Sequence, residues 1–339
     1  MFRRVLSAAV LIAVAVVLAI VLWPQLLGVE RAPIIAQVVS LRGFTTGIAL
    51  IAAAAFALIA LLSPSLRRFT GALAIIALVF AGAQVAVLST RGGGDSAFES
   101  KAPGDLIVLS WNTLGDAPGV EVIAELALGA EADIVVLPET SADAATQVAN
   151  AMRAGGVEMQ VLYLSYDQVS KARTTAVLID IELGEYQLDS AVGSTETLPS
   201  VVAVPSDGTG PTIVGAHPVS PIPGEMAAWR QGLHWLAARC GGADVIVAGD
   251  LNSTLDHYSG LDAESDSSGG LGGCRDGARA TGNAAVGTWP TSLPALLGAP
   301  IDHVLATPNW RFVGFRVVET HDGYESDHRP VIAQLRPAD

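Results

Sequence analysis

Three long apolar runs occupy the start of the chain: Val5 to about Val29, Thr45 to Leu62 and Thr70 to Leu88, none of them carrying a charge. About 20 apolar residues in a helix match the hydrocarbon thickness of a bilayer. A helix apolar all round is buried, in a large core or in a membrane, and three such runs in succession, almost without polar faces, predict three membrane-crossing helices. The charged start Met1-Phe2-Arg3-Arg4 also suits a secretory signal. A signal's apolar region is only about 7–15 residues and ends at a small-residue cleavage site. The first run is longer and lacks such a site, so a retained span is predicted.

After Leu88 the pattern changes. The Gly- and Ser-containing stretch 89–104 has the composition of a flexible linker. Short apolar, β-branched runs then predict strands at Asp105–Trp111, Asp133–Leu137, Thr174–Ile181, Thr212–Ala216, Val245–Ala248, Ile301–Ala306, Phe312–Val318 and Val331–Leu335. Helical spacing predicts helices at Val120–Leu128, Ala142–Ala154 and Met226–Ala238, the last with His234 on its surface. Asp256 to Arg279, rich in Gly, Ser and Asp, reads as an irregular loop. Many strands and few helices point to an α/β domain with a two-sheet core and helices outside. The organisation is therefore a membrane anchor at 1–88, a linker at 89–104 and a soluble domain at 105–339.

Charge divides the chain at the same place. Residues 1–100 hold seven arginines against three acids, leaving 12 basic and 30 acidic residues for the remainder. So acidic a domain repels a nucleic-acid backbone, whose binding depends on Lys and Arg. Paired arginines at Arg3-Arg4 and Arg67-Arg68 predict cytoplasmic loops, whereas the first connection has only Arg31 and Arg42. Three spans then place the soluble domain outside the cytoplasm. The two cysteines, Cys240 and Cys274, imply one disulfide in an exported domain or two free thiols in a cytosolic one.

Candidate chemistry lies where apolar runs stop. Asn112 follows the first soluble strand, Glu139 the second and His217 the Thr212–Ala216 strand. Val245-Ile246-Val247-Ala248-Gly249 runs into Asp250-Leu251-Asn252, and residues i and i+2 of a strand share a face. Asp250 and Asn252 would lie side by side if the extended geometry persists, able to hold a water, a metal or a phosphate oxygen. A plain strand-to-turn junction has the same composition. Asp302 stands at a strand start, and Asp327-His328 just before the last strand.

In order, Trp-Asn-Thr, Leu-Pro-Glu-Thr, Ala-His-Pro, Gly-Asp-Leu-Asn, Ile-Asp-His-Val-Leu and Ser-Asp-His-Arg-Pro-Val resemble the endonuclease/exonuclease/phosphatase superfamily, over about Asp105 to Leu335. The resemblance implies a four-layer α/β sandwich of two packed mixed sheets with the site at one end. It also implies hydrolysis of a phosphate ester with Mg²⁺, or Mn²⁺ as an alternative. By resemblance, Glu139 is the principal metal ligand, helped by Asn112 and Asp327. Asp250 orients or deprotonates the attacking water, and Asn252 holds a phosphate oxygen. Asp302 pairs with His328, which donates to the phosphoryl oxygen or acts as base. His217 contacts the phosphate or helps protonate the leaving group. Many nucleases of the superfamily have a further acid and a Tyr or Arg between the Glu and His motifs; Tyr163, Tyr166, Lys171 and Arg173 fall in that interval. His257 and His303 read as supporting residues, and Trp289-Pro290 as either a cleft lining or a surface turn. A phosphorylated small molecule or lipid is the expected substrate, ahead of nucleic acid. A nuclease is the alternative enzyme, and a non-catalytic membrane-bound binding protein the alternative of another class.

Overall fold

A computed structural model describes residues 2–94, 97–167, 169–261 and 270–338. Its first part is helical: α1 (Phe2–Leu22), a short α2 (Ile35–Ser40), α3 (Arg42–Leu62) and α4 (Arg67–Arg91). The helices α1, α3 and α4 are long and apolar enough to cross a membrane. They meet through Val21, Ala49, Phe80 and Ala81, the two alanines being small enough to let helices approach closely. Most of their other apolar side chains face outward.

The remaining chain builds β1 (Leu106–Ser110), α5 (Val120–Gly129), β2 (Ile134–Pro138), α6 (Ala142–Ala154), β3 (Met159–Ser165), β4 (Thr174–Asp180), β5 (Tyr186–Leu188), β6 (Val201–Pro205), β7 (Thr212–Ala216), α7 (Met226–Arg239), β8 (Val245–Asp250), β9 (Arg275–Asp276), α8 (Gly277–Ala280), β10 (Asp302–Ala306), β11 (Trp310–Val317) and β12 (Val331–Pro337). One sheet has the order β11-β12-β1-β2-β4-β3 and the other β5-β6-β7-β8-β10-β9. Each mixes parallel and antiparallel pairs. Val108, Val136, Val177, Ile213, Ile246, Val304 and Ala333 fill the space between the sheets. Leu109, Val135 and Leu178 face the other way, onto α5 and α6, and Val214 and Val247 onto α7. The four-layer α/β sandwich of two mixed sheets, preceded by three apolar helices, is thus as the sequence predicts.

Several local readings change. The linker begins later and is not free: α4 continues to Arg91, and Glu99 N–H donates to the Val313 carbonyl at 3.2 Å. Asp95 and Ser96 lie outside the described residues. The first helix ends at Leu22, because Pro24 starts a separate turn. The stretch from Asp256 to Arg279 is ordered at both ends, its residues 262–269 lying outside those described. Asp256 sits in a one-turn helix, and Asp276 caps α8 through Arg279 N–H at 2.7 Å. Cys240 and Cys274 are bonded, with Cα atoms 5.2 Å apart.

Strand direction brings the polar residues together. The pairs β1–β2 and β7–β8 are parallel, so the C-terminal ends of each pair lie together, and the 3.1 Å bond from Asn112 after β1 to Asp250 at the end of β8 puts both pairs' ends at one end of the sandwich. The strands β10 and β12 run antiparallel to β8 and β1, so their starts reach the same end: Asp302 is opposite Asp250, and Val331 opposite Ser110.

Candidate active site

Asn112 joins the sheets. Its Nδ2 donates to Glu139 Oε1 and to Asp250 Oδ2, both at 3.1 Å, while Leu114 N–H donates to its Oδ1 at 3.0 Å. The extended geometry does not persist to Asn252: β8 ends at Asp250, and Asn252 turns to φ +46°. Its pairing with Asp250 arises from a tight turn instead. Asn252 N–H donates to Asp250 Oδ1 at 2.8 Å and Nδ2 to Oδ2 at 3.1 Å. Glu139 also has positive φ, +56°. Left-handed backbone in a non-glycine residue costs of order 1–3 kcal/mol, and such strain clusters at functional sites. Here it turns two side chains inward from the strand ends.

His328 Nδ1 lies 2.8 Å from Asp302 Oδ2, and its Nε2 is 3.8 Å from Asp250 Oδ2 and 3.9 Å from Asp327 Oδ1. Burial lowers the affinity of His328 for its proton, but Asp302 and Asp250 outweigh it and raise the net value, so the ring is an imidazolium at neutral pH. Burial raises the Asp250 carboxyl well above the usual carboxylate range and raises Glu139 too. His217 is fully buried with no hydrogen bond on either ring nitrogen among the described residues, and its Nε2 is 3.7 Å from Glu139 Oε1. Burial, then the neighbouring His328, push His217 down to about 3, so it is neutral.

Glu139, His217, Asp250, Asn252 and His328 line one cavity of about 400 Å³. Asn112 and Asp302 stand behind this surface, touching it through the bonds above. Asp327 is held at its edge by Trp289 Nε1, which donates to Oδ2 at 2.8 Å. Trp289 is therefore a cleft residue. The loop carrying His328 is fixed by Ser326 Oγ, which donates to the Asn112 carbonyl at 2.7 Å, and by Trp111 Nε1, which donates to the His328 carbonyl at 2.8 Å.

The donor set suits a hard divalent cation. Glu139 is desolvated, and Asp327 Oδ1 is buried without a hydrogen bond. Both carboxylates are oxygen ligands of the type Mg²⁺ takes; the Asn112 amide oxygen, expected to help, instead accepts from Leu114 N–H while its nitrogen faces Glu139, so Asn112 positions that carboxylate. Asp250, Asp302 and His328 form a second grouping that can hold a metal ion, with ligand atoms within 4.8 Å of one another. That grouping is the weaker holder, because Asp302 Oδ2 and His328 Nδ1 are already bonded to each other.

Some residues in the motifs' neighbourhood point elsewhere. Lys171 pairs with Asp116 at 3.0 Å, Arg173 with Asp167 at 3.0 Å, and Tyr166 hydroxyl donates to the Thr195 carbonyl, so the interval between the Glu and His motifs sends none of these side chains into the cavity. His303 pairs with Asp276 at 2.6 Å and His257 bonds Thr254 N–H, both behind the site. Sequence reasoning missed one wall altogether: Gln37, Ser40 and Leu41, from the connection between α1 and α3, line the cavity. No motif marks them.

No curated protein matches the chain in sequence. Among solved structures, an endonuclease/exonuclease/phosphatase from Beutenbergia cavernae superposes with a TM-score of 0.50 at 17% identity, covering 69% of this chain and 72% of that one. A second, from Bacteroides vulgatus, gives a TM-score of 0.50 at 16% identity, covering 69% and 99%. Identities this low speak to the fold alone. The profile of the Endonuclease/Exonuclease/phosphatase family matches residues 109–328, more than half of the chain, from before Asn112 through His328. The chain belongs to the endonuclease/exonuclease/phosphatase family and is a hydrolase acting on ester bonds.

Proposed function

We propose that the protein is a membrane-anchored, extracytoplasmic, divalent-metal-dependent phosphoesterase that hydrolyses a phosphorylated lipid or small molecule by in-line attack of water. The observation that carries this reading is the gathering of Glu139, His217, Asp250, Asn252 and the Asp302–His328 pair around one cavity. Glu139 and Asp327 would hold the cation, Mg²⁺ in the first instance and Mn²⁺ as the alternative, with Asn112 positioning Glu139. When bound, it neutralises phosphate charge and activates the nucleophile.

The protein's own groups supply the rest. Asp250, whose proton affinity burial raises, accepts the proton of the attacking water. Asn252 Nδ2 donates to that carboxylate at 3.1 Å and to the Pro218 carbonyl at 3.0 Å, so both of its N–H bonds are engaged and its role is to orient Asp250 rather than to hold a phosphate oxygen. His328, kept protonated by Asp302, donates from Nε2 to a phosphoryl oxygen as charge accumulates there. Neutral His217 binds phosphate by hydrogen bond, which its low proton affinity favours over protonating the leaving group. The reaction is direct displacement, with no covalent enzyme intermediate.

Extracytoplasmic placement rests on Arg3, Arg4, Arg67 and Arg68 and fits the Cys240–Cys274 disulfide. Protease added to intact cells should reach the domain after residue 97; protection until lysis overturns the orientation. The activity is tested on the full chain in detergent with Mg²⁺, Mn²⁺ or EDTA, against phosphomonoesters, phospholipids and single- and double-stranded nucleic acid. Metal-dependent cleavage of the esters is expected. Cleavage of nucleic acid alone would make the protein a nuclease. Glu139→Gln and His328→Ala should each abolish turnover with the circular-dichroism spectrum unchanged, and retained activity in either contradicts the site assignment.

A further inference from the structure

The membrane module does not merely tether the domain. Three of its residues, Gln37, Ser40 and Leu41, face the cavity that holds Glu139, Asp250 and His328. The contact is built from several independent features. Ala36 is fully buried, and its carbonyl lies 3.1 Å from His257 Nε2. Because Thr254 N–H donates to His257 Nδ1, the proton sits on Nε2 and is donated to Ala36. Gln37 Nε2 donates to the Pro221 carbonyl. At the start of α3, a Cβ on Gly43 would overlap the Leu296 carbonyl oxygen, so helix and domain backbones touch where no side chain fits. Asp256, four residues past Asn252, is clasped by Arg42 and Arg91.

The wall has a distinct chemistry. Besides its polar residues, the cavity is lined by Leu41, Leu198, Ile222, Trp289 and Ile301. Gln37 also lines the cavity, and its Oε1 is buried without a hydrogen bond among the described residues while the same amide's nitrogen is engaged. A lone acceptor in an apolar lining recognises one donor on a ligand and little else. Leu41 is followed directly by α3, whose outward side chains are apolar.

We propose that residues 37–41 are the substrate-selecting wall of the active site, and that the substrate is an amphiphilic phosphate ester. Its phosphate occupies the floor formed by Glu139, His217, Asp250 and His328. Its apolar portion lies along Leu41, Ile222 and Trp289, and a hydroxyl or N–H of the head group donates to Gln37 Oε1. This assignment rests on the phosphoesterase reading of the same site.

The test uses the full chain in detergent with Mg²⁺ and two homologous pairs, methyl and octyl phosphate, and methyl and octyl 4-nitrophenyl phosphate, so that monoester and diester hydrolysis are both covered. The readout is the ratio of kcat/KM for octyl over methyl, which does not depend on the active fraction of a preparation. The wild type should favour octyl at least tenfold in one pair. Leu41→Ser should bring that ratio close to one, and Ile222→Ser, on the domain side, should lower it too. A wild-type ratio near one, or a ratio that Leu41→Ser leaves unchanged, overturns the proposal while the phosphoesterase reading stands. Turnover of none of the four esters overturns both. If Leu41→Ser does not fold, Ile222→Ser alone decides whether the apolar lining selects the chain.

Discussion

Removing the charge of Asp256 should loosen the grip of the apolar helical module on the catalytic domain. The carboxylate accepts five hydrogen bonds: from Arg42 Nε at 2.9 Å and Nη2 at 2.6 Å, from Arg91 Nη1 at 2.8 Å and Nη2 at 2.7 Å, and from Gln25 Nε2 at 3.1 Å. The side chains of Asp256 and Arg42 are 2% and 4% exposed, and Arg91 only 11%. Asp256→Asn keeps the volume but leaves two guanidinium groups facing an amide. Breaking a buried ion pair by removing one partner costs about 3–5 kcal/mol, since the remaining charge stays desolvated. For a chain of this size, roughly 2 °C of Tm per kcal/mol puts the loss at about 6–10 °C in a thermal melt. Arg153 and Glu158 provide the contrast: 57% and 50% exposed, they should contribute at most about 1 kcal/mol, so Arg153→Ala should leave Tm nearly unchanged. The pH dependence has a definite sign. Burial pushes Asp256 up, but Arg91 and Arg42 outweigh it and hold the carboxyl well below its ordinary value of 3.8. A depressed carboxylate contributes its full stability above the unfolded value and loses it as pH falls through the folded one. The Tm difference between wild type and Asp256→Asn should therefore persist from pH 8 to pH 5 and shrink only below about pH 4. A melt shifted by less than 2 °C at neutral pH, or a difference that vanishes between pH 8 and 5, would refute the view that this cluster fastens the two parts together.

Other perturbations probe the site and its support. Asp302→Asn keeps the shape beside His328 but removes the charge that favours its protonated form, and kcat should fall about 10²–10⁴-fold; an unchanged kcat would remove His328 from the acid role. Replacing both Cys240 and Cys274 with Ala frees a loop of sequence separation 34, which by chain entropy should cost about 3–4 kcal/mol in denaturant unfolding. In Gly249→Ala a Cβ would overlap the Ala216 carbonyl oxygen across the β7–β8 pair, and the residue's φ of +148° disfavours a side chain as well. A loss of about 1–3 kcal/mol is expected, with reduced turnover because Asp250 comes next; equal stability would mean the pair opens without cost.

The site was legible because its polar residues follow apolar runs, and a strand that ends in Asn, Glu, His or Asp presents that residue where the sheet stops. Only pairing direction decides whether such ends meet, and no sequence pattern supplies it. The strands β3 and β6 went unpredicted for different reasons. Met159–Ser165 is half-buried, with polar residues interleaved at an edge, so its apolar signal is diluted. Val201–Pro205 is apolar but follows a Thr/Ser/Pro-rich loop and ends in Pro, which reads as punctuation. Asp256 heads a Gly/Ser/Asp-rich stretch and looks like loop filler, although it is among the most buried acids of the domain.

The deepest gap lies in the first connection, and there one set of residues answers two questions. Counting arginines treats Arg31 and Arg42 as a weak topological signal against the pairs at 3–4 and 67–68. The structure gives them partners in the catalytic domain: Arg31 Nη1 donates to the Ser259 carbonyl at 2.7 Å and Arg42 to Asp256. A contact of this kind requires the α1–α3 connection and the domain after α4 to occupy the same side of the membrane. If α1, α3 and α4 all cross, the segment after the first span and the segment after the third share a side by parity alone. Charge bias, helix count and side-chain contact are independent, and they agree on that relation. The short α2 is apolar enough to pass for part of the anchor, yet Ala36 is buried against the domain and Gln37 faces its cavity. Dividing the chain where hydropathy changes therefore cuts through the active site, and a fragment beginning at residue 97 would lack a wall of its own cleft.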